Sequence, residues 1–149
     1  MNIKERKRLI GLLIGVYREE LFSFDSEKFN KSNFCMNVCC VNTLKKLEQG
    51  YICRNSIYPE ILQKFNLKFG FFKKVDDAVE LSLTSLYEAI EFYDIDAIMT
   101  ISYKILRLLN RLKNYVYYSE IHELITDVKN HYLKNEFITE HKAKHYEKM

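Results

Sequence analysis

The scarcity of helix-breaking residues constrains this chain more than any other feature. One proline and four glycines occur in 149 residues. Tight turns between short β-strands draw heavily on these two residue types, so their scarcity favours long helices. Hydrophobic residues make up 48% of the sequence, enough for a buried core in one or two small domains. We therefore predict an all-α fold.

Charge is divided unevenly along the chain. Residues 1–74 contain 14 Lys and Arg against 7 Asp and Glu, a net charge of +7, whereas residues 75–149 contain 9 against 13, a net charge of −4. A basic domain followed by an acidic one is typical of polyanion binding by the first and assembly or effector binding by the second. Two solvated surfaces of opposite sign would give the same totals, so charge alone leaves both interpretations open.

Membrane, secretion and zinc signals are weak. No apolar run reaches the roughly 18 residues of a membrane span. The apolar stretch over residues 9–16 lacks a cleavage site, so we expect a cytoplasmic protein with no membrane partner. Cysteines in such a chain are expected to be reduced thiols. Their Cys-x3-Cys-Cys spacing differs from the Cys-x2-Cys pairs of zinc sites. The four cysteines are Cys35, Cys39, Cys40 and Cys53.

Helical spacing of apolar residues predicts a first helix over residues 3–21 and a second over residues 30–37. Residues 22–29 are expected to form a connector, in which Asp25 or Ser26 caps a short turn. Asn30 is a favourable N-cap for the second helix. The second helix is predicted to end at an asparagine, Asn37, which tolerates the left-handed conformation of a sharp helix exit.

A turn over residues 38–40 is predicted to lead into a third helix over residues 41–49, which Gly50 ends at the C′ position. One side of this helix carries an apolar stripe at i, i+4 and i+7, formed by Cys40, Leu44 and Leu47. The opposite side carries polar and cationic residues: Asn42, Lys45, Lys46 and Gln49. A fourth helix follows, with Ser56 as its expected N-cap and Pro59 in its first turn.

The second half of the sequence predicts longer helices. They are placed over residues 76–93, 95–113, 118–136 and 138–146. Short connections between long helices imply antiparallel neighbours.

The segment over residues 29–50, FNKSNFCMNVCCVNTLKKLEQG, resembles the helix-turn-helix of the Cro/lambda-repressor-like family, also called the xenobiotic-response-element family. It is most similar to the branch found in peptide-responsive regulators of Gram-positive bacteria, where the turn is Ile-Cys-Ser and the recognition helix ends in Ile-Glu-x-Gly. Val38-Cys39-Cys40 and Leu47-Glu48-Gln49-Gly50 stand at these places here. The resemblance covers about residues 3–70. Two positions depart from the family pattern. Asn30-Lys31 stand near the start of the second helix, where the family usually has Gln. Val41 stands at the start of the recognition helix, where the family often has Ser or Gln.

The resemblance implies that residues 1–70 form a DNA-binding domain of a sequence-specific transcriptional regulator, with the helix over residues 41–49 in the major groove of double-stranded DNA. Asn can pair with adenine and Lys with guanine, whereas contacts to phosphates fix the register. The implied DNA-binding residues are Lys31, Val41, Asn42, Lys45, Lys46, Gln49, Arg54 and Asn55. Glu48 is expected to make a structural polar contact instead.

The cationic run at the start of the first helix has two interpretations. It either touches phosphate or is a solvated helix end, and the sequence favours neither. The run consists of Lys4, Arg6, Lys7 and Arg8.

The second half, residues 71–149, resembles tetratricopeptide-like helical hairpins in the stretch over residues 87–106, YEAIEFYDIDAIMTISYKIL. In the resembled regulators such helices dimerise and bind a short peptide. A homodimer is also expected because one recognition helix reads only a few base pairs.

The sequence predicts neither a metal site nor catalysis, and it leaves one alternative function open. His141 and His145 have an i, i+4 spacing with Glu140 beside them, but two histidines without further ligands predict no metal. No catalytic motif stands out, so neither enzyme activity nor a cofactor is expected. The alternative is a protein-interaction module or antagonist that keeps the fold without binding DNA. DNA binding predicts one exposed basic face formed by Asn42, Lys45, Lys46 and Arg54, and the alternative predicts that this face is broken or covered.

Overall fold

The computed structural model describes residues 2–134 and 147–148. Within these residues the secondary structure is helical and contains no β-strand, which confirms the predicted all-α fold. The chain divides into two compact units, the first ending at Phe69 and the second beginning at Gly70. None of the described helices combines the length and the apolar character needed to cross a membrane.

The first unit contains five helices among its described residues: α1 (Ile3–Phe22), α2 (Ser26–Phe29), α3 (Lys31–Phe34), α4 (Val41–Glu48) and α5 (Ile57–Gln63). At the start of α1, Asn2 and Glu5 form a capping box in which each side chain accepts a backbone N–H of the other. The short turn expected within the connector over residues 22–29 is confirmed, and it is the four-residue helix α2. Asp25 caps this turn by accepting the Lys28 N–H at 3.1 Å.

The segment between α3 and α4 is longer than the sequence predicted. Asn30 is confirmed as the N-cap of α3, since its side chain accepts the Asn33 N–H at 2.9 Å. The helix ends at Phe34 instead of continuing to Asn37. Asn37 does adopt the left-handed conformation, with φ of 69°, and Gly50 follows α4 with φ of 90°, as expected at both positions.

At two helix starts the structure differs from the prediction, at one in position and at the other only in the capping bond. Cys40 was expected in the buried stripe of α4 but is exposed, because it is the N-cap residue, with extended backbone, and not part of the helix. Ser56 is the N-cap residue of α5, as expected, but its backbone is already helical and its side chain makes no capping hydrogen bond. The Ile57 N–H instead donates to the Arg54 carbonyl at 3.1 Å, so the turn begins before Ser56. Pro59 lies in the first turn, as predicted.

The core of the first unit is made by apolar residues of all five helices. Burying one such large side chain contributes roughly 1.5–3 kcal/mol. Phe65, after α5, is half-buried and packs against Tyr17 and Phe34, with ring centroids 5.6 and 5.2 Å away. The buried residues are Ile10, Ile14, Phe29, Phe34, Cys35, Leu44, Leu47, Ile57, Tyr58, Ile61 and Leu62.

The second unit contains α6 (Lys73–Glu91), α7 (Ile95–Leu109) and α8 (Val116–Lys134), with a 3₁₀ turn over Asn110–Leu112. These match the first three helices predicted for this half, and α7 packs against both α6 and α8. Asp94 begins α7 by accepting the Ala97 N–H at 3.2 Å. The helix predicted over residues 138–146, and His141 and His145 with it, lies outside the described part of the chain.

One buried hydroxyl ties the start of α6 to α8. Tyr118 is fully buried, and its hydroxyl donates to Asp76 Oδ1 at 2.6 Å. The hydroxyl oxygen of Tyr118 also accepts a hydrogen bond from the Phe72 N–H at 2.9 Å. Because Phe72 is the N-cap residue of α6, one side chain of α8 fixes where α6 begins.

Candidate nucleic-acid interface

Helix α4 divides its side chains between the core and solvent. Leu44 and Leu47 are fully buried, and Val41 is half-buried. The polar and cationic side chains are exposed, as the sequence predicted: Asn42, Lys45, Lys46 and Gln49. A short amphipathic helix can keep such a face outward only if the rest of the unit holds its apolar face firmly.

Two glycines of α1 allow α4 to approach closely. A Cβ atom at Gly11 would lie 2.4 Å from the carbonyl oxygen of Leu47, which is closer than real Cβ atoms come. A Cβ atom at Gly15 would lie 3.1 Å from Cβ of Glu48. The backbones of α1 and α4 are therefore in contact at their crossing, and the i, i+4 spacing of the glycines is the sequence signal that could have indicated it.

A buried ion pair holds the C-terminal turn of α4. Arg18 donates through Nε to Glu48 Oε2 at 2.6 Å and through Nη2 to Oε1 at 2.9 Å. Its third nitrogen, Nη1, donates to the Phe29 carbonyl at 3.0 Å. Hydrogen bonding to Glu48 is the largest cause that raises the pKa of Arg18, so the guanidinium stays charged. Glu48 thus makes a structural contact, as expected, and Arg18 is a residue that the sequence did not single out.

Lys64, just after α5, supports the chain between α3 and α4. Its ammonium group donates to the carbonyl of Phe34 and to the carbonyl of Met36 at 3.3 Å. Carbonyls at the end of a helix lack intrahelical partners, and a cation there is favourable. Lys64 lies 30 residues from Phe34 in sequence, and no local pattern signals this contact.

The loop after α4 contains two more of the predicted residues. Arg54 and Asn55 are both exposed. Asn55 accepts a hydrogen bond through Oδ1 from the Lys7 ammonium group. Tyr58 also holds this loop, because its hydroxyl accepts the Cys53 N–H at 3.2 Å. The loop is therefore fixed from α1 and α5, and the amide nitrogen of Asn55 can still donate to a ligand.

The first turns of α1 meet the C-terminal end of α4. Lys4 and Arg8 line an open depression of about 550 Å³ together with Gln49 and the residues after it. Arg8 also covers Gly50, where a Cβ atom would lie 3.1 Å from Arg8 Cγ. Of the cationic run at the start of α1, Arg6 is buried.

Lys31 is placed apart from this depression. It is half-buried at the start of α3 and lines a second, smaller depression. The other residues lining it are Arg18, Glu19, Phe22 and Asn30. Among the sequence-predicted residues, Gln49 lies close to α1 and Asn55 is hydrogen-bonded to Lys7. Lys31 lines the other depression.

The four cysteines are free and lie in different environments. Burial raises the pKa of Cys39 to about 11 and also raises the pKa of Cys53. At the exposed Cys40, a hydrogen bond with the Thr43 side chain, whose Oγ1 lies 3.1 Å from Sγ, lowers the pKa of the thiol. No group of three or more His, Cys, Asp or Glu placed to hold a metal ion occurs in residues 2–134 and 147–148.

No protein-family model, curated protein or solved structure matches this chain. What α4 can bind is inferred from its own side chains: amide groups that can pair with a base edge, and ammonium groups that can reach base acceptors or phosphates.

Proposed function

We propose that this protein is a sequence-specific DNA-binding transcriptional regulator of the Cro/lambda-repressor-like type, which places α4 in the major groove of double-stranded DNA. The observation that carries the proposal is the exposed polar and cationic face of α4, held outward by the burial of Leu44 and Leu47. The major groove is about 12 Å wide and admits one helix.

Each side chain on this face has a proposed role. Asn42, in the first turn of α4, pairs with adenine through its two-sided amide, and Lys45 reaches the acceptors of guanine. Val41 contacts a thymine methyl group. Lys46 and Gln49 complete the face toward the C-terminal end of the helix.

Contacts to the DNA backbone are proposed on both sides of α4. Arg54 and Asn55 in the following loop and Lys31 at the start of α3 bind phosphates, which position the helix without reading sequence. The hydrogen bonds that fix this loop to Lys7 and Tyr58 support the proposal, because a preorganised loop loses less entropy on binding.

Exposure at four positions argues against the covered face that the alternative of a protein-interaction module or antagonist allows. Asn42, Lys45, Lys46 and Arg54 are all exposed. The alternative predicts that this face is broken or covered. The uneven charge also supports DNA binding, since the +7 net charge of residues 1–74 suits a polyanion.

We further propose that the protein acts as a homodimer and that the second unit supplies assembly and effector functions. The α4 helix contains eight residues and can read only a few base pairs, so two copies on neighbouring half-sites would give useful specificity. A short peptide is the effector that the resemblance implies for the second unit.

The test is binding of the full chain to random-sequence duplex DNA over a salt series. We expect affinity to fall steeply with salt, and the double variant Lys45→Ala/Lys46→Ala to bind more weakly with a shallower slope. The matched control is Lys73→Ala/Lys74→Ala, an adjacent exposed lysine pair at the start of α6, which should bind like the wild type. Absence of wild-type binding at low salt, or equal effects of the two double variants, would refute the placement of α4 in the groove.

A further inference from the structure

The cations at the start of α1 form a surface with the end of α4. Lys4 and Arg8 are exposed and line the same open depression as Gln49, Tyr51 and Ile52. Two cations on successive turns of α1 therefore face Gln49, the exposed residue that follows the proposed recognition helix α4.

The side chain of Arg8 is partly fixed in this place. Its hydrocarbon part and Nε cover Gly50, where a Cβ atom would meet Cγ at 3.1 Å and Nε at 3.4 Å. Gly50 adopts φ of 90°, so the chain turns sharply under the guanidinium. A guanidinium that is held by packing loses less freedom when it binds an anion than one on a free side chain.

The other charged groups nearby have partners of their own. Lys7 donates to Asn55 Oδ1 and lies over the Tyr58 ring, 6.0 Å from its centroid. Glu5 also lines the depression, but it belongs to the capping box of α1. Its carboxylate accepts a hydrogen bond from the backbone N–H of Asn2 at 3.3 Å and another from the side-chain amide nitrogen of Asn2 at 3.5 Å. Lys4 and Arg8 are thus the cations that the depression offers to a ligand.

We propose that this depression binds a backbone phosphate of the duplex that α4 reads, with Lys4 and Arg8 as its ligands. The inference rests on the proposed function, and it adds a contact from α1 beyond the end of the recognition helix. An anion with several oxygens suits the site, because a guanidinium and an ammonium group can each donate to a different phosphate oxygen. The sequence left open whether the cations at the start of α1 touch phosphate or are solvated, and this proposal assigns phosphate binding to two of them, Lys4 and Arg8.

The test compares Lys4→Met/Arg8→Met with the wild type in the same salt series. Methionine removes each charge and keeps an unbranched side chain of similar length. Each phosphate contact contributes about 0.9 to the slope of log affinity against log salt, and the depression binds one phosphate, so the slope of the variant should be shallower by about 0.9. Across a roughly fourfold rise in salt, the wild type should therefore lose about 3.5-fold more of its affinity than the variant does. Thermal unfolding of the variant shows whether the fold is retained.

Two matched variants make the test specific. Lys28→Met/Lys104→Met removes the same charge from exposed positions outside the depression and should leave the slope unchanged. Glu5→Gln keeps the capping box and removes the anion, so it should raise affinity at low salt.

The outcomes separate this inference from the proposed function. A wild-type slope in Lys4→Met/Arg8→Met, together with weakened binding by Lys45→Ala/Lys46→Ala, overturns the phosphate site and leaves the placement of α4 intact. Equal slope losses in the depression variant and in Lys28→Met/Lys104→Met also overturn it, since only total charge would then matter. Absence of wild-type binding overturns both proposals.

Discussion

Arg18 and Glu48 form a two-bond ion pair inside the first unit, with N–O distances of 2.6 and 2.9 Å. The side chain of Arg18 is 3% exposed and that of Glu48 is 11% exposed. Because Arg18 also donates to the Phe29 carbonyl, this one guanidinium joins α1 to the ends of α2 and α4. The orientation of α4 therefore depends on a charged contact as well as on its apolar face.

Replacing Glu48 with Gln should destabilise the first unit by about 1.5–3 kcal/mol, because it removes the main charged hydrogen-bond partner of the buried Arg18. The measurement is urea unfolding followed by circular dichroism. Glu19→Gln is the matched control. Glu19 contacts the same guanidinium at 2.7 Å but is 65% exposed, so its loss should cost about 1 kcal/mol or less. Similar costs for the two variants would contradict the central role of Glu48.

Gly11→Ala should destabilise the contact between α1 and α4. Alanine gains about 1 kcal/mol in helix propensity, but its Cβ atom would lie 2.4 Å from a backbone oxygen of Leu47. Overpacking of this kind costs about 1–3 kcal/mol, so we expect net destabilisation. Gly15→Ala, which meets a side chain at 3.1 Å, should cost less than Gly11→Ala. Thermal unfolding measures both, and a more stable Gly11→Ala variant would show that the helices do not cross so closely.

Tyr118→Phe should destabilise the second unit by about 1–3 kcal/mol. The change removes the acceptor of the Phe72 N–H and the donor to Asp76, while the ring still fills the core. Tyr87→Phe removes a hydroxyl from a side chain that is 76% exposed, and it should change stability by less than about 0.5 kcal/mol. Denaturant unfolding of both variants checks the difference. If the two variants unfold alike, the buried hydroxyl is not needed to start α6.

His122 should make the second unit less stable in mild acid. Burial, with smaller effects of Lys113 and Lys129, lowers its pKa below the usual 6.5. The unfolded chain then binds more protons than the folded one between the lowered pKa and about 6.5, so stability rises with pH through this window and falls as pH drops through it. Melting temperatures at about pH 7.5 and about pH 5.5 should differ more for the wild type than for His122→Gln. An unchanged difference in the variant would assign the acid sensitivity to other groups.

Local features of the sequence predicted the helical content and several helix ends. Asn30 caps α3, and Asn37 and Gly50 adopt positive φ. Each of these depends on a residue and its neighbours within one turn, so local sequence is sufficient. The exposed face of α4 could likewise be predicted, because the spacing of Leu44 and Leu47 fixes which side is buried.

Only the tertiary structure decided which distant groups hold that face in place. The pairing of Arg18 with Glu48 and the bond from Lys64 to the Phe34 carbonyl each span 30 residues. The meeting of Arg8 with Gly50 is also non-local. Sequence spacing carries no information about such contacts, since they depend on how helices cross. Apolar periodicity was also insufficient at Cys40, one residue before α4. The backbone of Cys40 is extended and its thiol is exposed, so it does not continue the buried stripe of the helix.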